Sequence, residues 1–172
     1  IITRLEPSHR KDYLRSGINL IQANINNIQI NEAKEVIPMI DIQYTIETEQ
    51  YGNKTGNRLF IPANIFRKGF TTPDLKQRVQ DIHINYGYLD TDSICLQIPE
   101  GYTIESLPKT CQVTSSFGSF SSSLMIKDKE ICIIHRLLMH RGIYPKEIYK
   151  DFLEFRKQIA AQYSSKIILK KE

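Results

Sequence analysis

Three cysteines and four histidines are the residues of this chain best suited to covalent chemistry: Cys95, Cys111 and Cys132, with His9, His83, His135 and His140. A Cys–His nucleophile needs its thiol in an electropositive setting, often at a helix start, with the imidazole in reach as base. The local sequence does not supply that setting. Cys95 lies between Ile94 and Leu96, Cys132 lies between Ile131 and Ile133, and Cys111 follows Thr110 in an extended run. Such mid-strand positions predict buried, inert thiols. His135 and His140 fall on or just beyond a strand, where a surface or hydrogen-bonded histidine is expected. The odd cysteine count, with no C-x-x-C and no histidine at metal-ligand spacing, argues against a disulfide framework and against a zinc site. A single bridge stays open if two of the cysteines face each other.

Oxygen donors are the next candidates. Asp90 and Asp92 flank Thr91 in a polar triplet that reads as a hairpin tip. With Glu100 or a backbone carbonyl they could cup a calcium ion. Calcium takes six or more oxygens, and no D-x-D-x-D-G loop is present to provide them. Aspartates that cap their own backbone in a tight turn are the simpler reading. Glu105 sits in IPEGYTIESLP (Ile98 to Pro108) and could serve as an acid or base, but its neighbours give it a plainer role. Pro99 and Gly101 mark a tight turn, with Pro99 at its first inner position, and Tyr102 and Ile104 alternate with Thr103 and Glu105. Glu105 is therefore an outward carboxylate of a strand. The serines of SSFGSFSSS (Ser115 to Ser123) lack a G-x-S-x-G elbow, and there is no glycine-rich phosphate loop. Asn53-Lys54-Thr55 matches a glycosylation sequon. No catalytic residue, metal or cofactor is expected.

The elements that must hold these residues are mostly strands. A chain of 172 residues, 41% of them hydrophobic, can build one domain with a real core. The net charge of +4 is mild and the basic residues are interspersed with acidic ones, so there is no basic stripe for nucleic acid. No apolar window is long enough to span a membrane. The chain begins at Ile1 rather than Met, which suggests processing or excision from something longer.

Ile1 to Ile18 predicts one short helix, with Ser8 as N-cap, Gly17 as stop and Tyr13 and Leu14 as its apolar anchors. Ile28 and Ile30, then Ile40, Ile42, Tyr44 and Ile46, alternate as strands. YGNKTGN (Tyr51 to Asn57) is a hairpin tip, with Arg58 to Ile61 returning. Ala63 to Lys76 is irregular, with Thr71-Thr72-Pro73-Asp74 as a turn or helix start. Ile82, Ile84, Tyr86 and Tyr88 alternate, as do Ile94, Leu96 and Ile98. Val113 to Phe120, Leu124 to Ile126 and Ile131 to Leu138 are further strands. This pattern predicts a mainly β fold, a two-layer antiparallel sandwich. From Pro145 the period changes. Ile148, Phe152, Phe155 and Ile159 recur at helical spacing beside Tyr149, Leu153 and Tyr163, so a helix over about 145–163 should pack on one sheet. Pro145 suits its first position, and Ile167 to Leu169 return as a last strand. The expected organisation is a lead-in segment, 1–17, and a single domain, 18–172.

Several motifs taken in order resemble a known family. IPEGYTIESLP, the RVQDI run (Arg78 to Ile82) and YLDTDS precede or follow GNRLFIPANIF (Gly56 to Phe66), SSFGSF, IIHR, RGIYPKEIYKDFLEF and KIILKK. Together they resemble the C-terminal β-sandwich domain of transglutaminase-like envelope proteins of Bacteroidetes. The resemblance runs from about Arg10 to the end. Those proteins join this module to a papain-like core whose Cys-His-Asp chemistry has no counterpart at Cys95, Cys111 or Cys132. The resemblance implies an exported protein of the periplasm or cell envelope. It also implies a non-catalytic accessory module, with the transglutaminase-like core of the same parent as partner, or a protein or envelope glycan. A carbohydrate-binding sandwich and a cryptic Cys/His hydrolase are the alternatives. Any recognition surface is expected at the tips bearing Tyr51, Asn53, Tyr88, Asp90 and Asp92.

Overall fold

The computed structural model describes residues 2–20, 22–66, 68, 73, 75 and 78–172, and every structural statement below concerns these. The expected turn at Thr71-Thr72-Pro73-Asp74 falls, apart from Pro73, outside them. The chain divides into two compact units, one of residues 1–53 with 65–67 and one of 54–64 with 68–172.

The first unit holds helix α1 (Pro7–Ser16) and strands β1 (Asn24–Ala33) and β2 (Met39–Glu47), which pair antiparallel. α1 begins at Pro7 with Glu6 as its cap residue, two positions ahead of the expected cap Ser8, because proline tolerates the first helical position. It stops at Gly17 and buries Leu14. In β1 the register slips between Asn26 and Gln29, and Asn27 takes a positive φ of 53°. This bulge resets the alternation, so Ile25 lies fully buried while Ile28 and Ile30, of opposite parity, continue the more buried face.

The second unit is built of antiparallel sheets. Strands β3 (Asn53–Thr55, whose first residue is counted with the first unit), β4 (Arg58–Pro62), β12 (Lys166–Lys171) and β7 (Tyr102–Ser106) form one sheet in that spatial order. The β3–β4 turn is at Gly56-Asn57, with Gly56 at φ 60°, the backbone that a two-residue hairpin requires. The second sheet has the order β6 (Tyr88–Gln97), β10 (Glu130–Met139), β9 (Gly118–Lys127) and β8 (Cys111–Ser115). A short ribbon pairs β11 (Gly142–Tyr144) with β5 (Ile82–Ile84). The run expected to alternate from Ile82 to Tyr88 is broken at 85–87, and Tyr86 there is 81% exposed.

IPEGY makes the expected turn with a different residue assignment. The Tyr102 N–H donates to Pro99 O, so Pro99 is the first corner and Gly101, at φ 74°, is the second inner residue. A second glycine is set by packing. Gly118, at φ 150°, lies so close to β10 that a Cβ there would stand 1.9 Å from the Leu138 carbonyl oxygen. SSFGSF is not one strand: Ser115 ends β8, Ser116 and Phe117 make the turn with Phe117 fully buried, and Gly118 opens β9.

Helix α2 (Tyr149–Tyr163) follows a 3₁₀ turn at Lys146–Ile148, so the helical stretch covers the expected range. Pro145 is the residue before that turn, and the Asp81 carboxylate accepts the Lys146 N–H at 3.1 Å in place of a local cap. Its face of Tyr149, Leu153, Phe155, Ile159 and Tyr163 packs on Phe117, Phe120, Leu137 and Met139 of the sheet and on Ile82. Hydroxyls of Ser164 and Ser165 donate to the carbonyls of Ala161 and Gln162 and close the helix end. The fold is thus mainly β, several antiparallel sheets with one C-terminal helix packed against strands. Among the described residues no helix is long and apolar enough to cross a membrane.

Candidate functional site

The five residues expected to mark recognition tips are divided between the two units. Tyr51 and Asn53 belong to the first unit and Tyr88, Asp90 and Asp92 to the second. Asn53 is exposed at the start of β3. Tyr51 is half-buried, and burial pushes its phenol up to about 12. The triplet Asp90-Thr91-Asp92 is not a hairpin tip. β6 runs unbroken through it from Tyr88 to Gln97. Asp90 and Asp92 share the parity of Ile94 and Leu96, so they point where those apolar side chains point, toward the covered face of the sheet.

A cation meets them there. Lys68 Nζ lies 2.9 Å from Asp92 Oδ2, as a charge contact rather than an aligned hydrogen bond, and donates a hydrogen bond to Asp90 Oδ2. Burial opposes the lysine charge, but the two carboxylates outweigh it and hold the ammonium above its ordinary range. Burial also raises the Asp92 carboxyl, against the pull of Lys68.

Directly opposite Asp92 on β10 stands His135, and opposite His135 on β9 stands Ser122. Cys111 of β8 continues this row. His135 is only 1% exposed, held between the Phe120 ring at 5.8 Å and the Tyr163 ring at 4.9 Å. Neither ring nitrogen has a hydrogen-bond partner among the described residues. This corrects the expectation of a surface or hydrogen-bonded histidine. Burial, reinforced by the positive charge of Lys68, lowers its pKa to about 4. At neutral pH it is an uncharged ring in a core.

The cysteines also differ from expectation. Cys95 and Cys132 are not inert thiols but a disulfide, made because the β6–β10 register sets them directly opposite. They lie on the other face of the sheet from His135, since Cys132 and His135 have opposite parity, and Cys95 is exposed. Cys111 is a free thiol whose pKa burial raises, with a backbone hydrogen bond at Ser122 acting the other way. Two strand spacings, roughly 10 Å, separate Cys111 from His135 along the row. The thiol and the imidazole do not meet. Glu105 is an outward carboxylate, as expected. It accepts two hydrogen bonds from Arg58, at 2.6 and 2.7 Å, across β12, and that guanidinium lowers its pKa.

Sequence reading missed the Lys68–Asp90–Asp92–His135 group, although one signal was present. The alternation of Ile94 and Leu96 extends backward through Asp92 and Asp90, and Ile133 and Leu137 bracket His135 at the same parity.

What the fold and this interior define is a mainly β module with a helix closed over one sheet and a partly solvated charged group at the edge of that sheet. A family model described as a domain of unknown function with a solved structure (DUF3858) matches residues 57–169, well over half of the chain, and the chain belongs to that family. The matched span runs from β4 into β12 and leaves α1, β1, β2 and β3 outside it. No curated protein and no solved structure matches the chain. The disulfide is consistent with an extracytoplasmic protein.

Proposed function

We propose that this chain is a non-catalytic accessory domain of an exported multidomain protein, carrying or docking a transglutaminase-like or cysteine-peptidase-like core. One observation carries the reading. With the disulfide closed, the groups able to do chemistry are held apart or engaged with one another: Cys95 with Cys132 on the outer face, His135 between two aromatic rings, Lys68 between two aspartates. The free thiol Cys111 lies two strands from His135. The resemblance of the ordered motifs to the C-terminal module of transglutaminase-like proteins supplies the partner, and the disulfide fits export.

The test has two parts. The reading frame upstream of Ile1 should encode a Cys-His-Asp core, and that core, expressed separately, should bind this chain in a calorimetric titration. A frame with no such core, or a purified chain that itself turns over thioester or peptide substrates, would overturn the reading.

A carbohydrate-binding role is favoured by one feature. Tyr86 stands out beside a recess of about 410 Å³ lined by His83, Asn85, Arg141 and Ile143, an exposed ring flanked by hydrogen-bond donors. Binding on a glycan array that Tyr86→Ala removes would establish this second reading.

A further inference from the structure

We infer that the Cys95–Cys132 pair is a reducible site whose dithiol form, with Glu130, binds a thiophilic divalent cation of the zinc class. Three donors share the outer face of one sheet: Sγ of Cys95, Sγ of Cys132 and a carboxylate oxygen of Glu130, all within 4.8 Å of one another. Glu130 lies two residues before Cys132 on β10, so the pleat places both on the same side. Its Oε1 accepts a hydrogen bond from Gln97 Nε2 at 2.7 Å, and Oε2 lies 3.5 Å from Cys132 Sγ. A carboxylate turned by a second polar group toward a metal position is how outer-sphere contacts orient a ligand.

The backbone holds the donors without the S–S bond. β6 and β10 pair along their whole length, from Glu130 opposite Gln97 to Met139 opposite Tyr88, so the two thiols stay face to face when the bridge opens. Cys95 is exposed, which lets a reductant reach the bridge. The chemistry balances with a dithiol as co-reactant. Its thiolate attacks a sulfur of the bridge, and two electrons and two protons convert the disulfide to two thiols while the dithiol closes to its own disulfide. A divalent cation then displaces both thiol protons. Two thiolates and one carboxylate leave a fourth position for water, an arrangement that suits zinc better than magnesium or calcium. The oxidised bridge has no thiolates to offer, so oxidation releases the cation.

The inference is independent of the accessory role, since it rests on one sheet face alone. The test uses the full chain, reduced with a phosphine and titrated with Zn²⁺, and separately with Co²⁺ to read thiolate-to-metal absorption, while near-ultraviolet circular dichroism follows the fold. The expected result is one equivalent bound by the reduced, folded chain, none by the oxidised chain, and affinity about tenfold or more weaker in Glu130→Gln. Cys111→Ser should leave binding unchanged. Four results would overturn the inference: no binding on reduction, equal binding by the oxidised chain, loss of binding in Cys111→Ser, or undiminished binding in Glu130→Gln. The last is also the result expected if the reduced chain unfolds and binds metal through loose thiols.

Discussion

Tyr163, the last residue of α2, closes edge-on over His135 of β10, with ring centroids 4.9 Å apart. The contact joins the helix end to the row that holds Asp92, and it keeps water from the imidazole. Burial and the nearby aspartate charges raise the Tyr163 phenol far above its ordinary range, so both rings are neutral at any physiological pH.

The buried imidazole makes stability depend on pH. Its pKa falls from 6.5 to about 4 on folding, so between these values the unfolded chain binds a proton that the folded chain does not. The contribution is complete above pH 6.5 and is lost as pH drops toward 4, a change of about 3 kcal/mol. Asp92, raised by burial, works in the opposite direction, so the comparison must be made against a variant. His135→Leu should show a much smaller loss of stability between pH 7 and pH 5 in urea titrations. An identical pH slope in the two proteins would refute the assignment.

Lys68 is the counter-charge of two carboxylates on one strand face. Lys68→Met leaves Asp90 and Asp92 facing each other without it, and Asp92 should then take up a proton at higher pH. The expected cost is about 2 kcal/mol, below that of a fully buried pair because Asp90 is partly solvated. Replacing both aspartates by asparagine in the Lys68→Met background should recover part of this loss. Chemical denaturation at pH 7 measures both steps.

Thiol counting separates the bridge from the free cysteine. Without reductant, the native chain should react with a maleimide at Cys111 alone, and slowly, since burial raises that thiol. After reduction in denaturant, three equivalents should react. Rapid labelling of the native chain at any position would instead favour a reactive thiol and the hydrolase alternative.

Gly118 has no room for a side chain. An added Cβ would stand 1.9 Å from the Leu138 oxygen, on a backbone at φ 150°. Gly118→Ala should cost more than about 4 kcal/mol and leave little soluble protein. Gly56→Ala, whose Cβ would meet nothing within 4 Å, should be far milder, with only the strain of φ 60° to absorb. Yield and thermal midpoint of the two variants provide the comparison.

Helix α2 was legible because its apolar residues recur at a spacing no strand can use, and β10 because Ile131, Ile133 and Leu137 alternate over a long run. The interior charges were not. Asp90-Thr91-Asp92 has the composition of a turn, and within the strand its two carboxylates are paired with Lys68. That lysine comes from a stretch with no periodicity, 22 residues before Asp90, and no local rule connects them. The disulfide was hidden for a related reason. Cys95 and Cys132 are 37 residues apart, and what sets them opposite is the β6–β10 register, fixed by the whole ladder. The β1 bulge was likewise invisible, since Asn26-Asn27 reads as polar filler until the slip in pairing is seen.

β12 lies between β4 and β7, yet it follows both of them in the chain. During synthesis β7 therefore leaves the ribosome before its partner in that sheet exists, and β4 has only the small β3 hairpin beside it. Completion of the sheet waits for β12 to slot between two earlier strands, so the nascent chain carries an open seam until translation has delivered it.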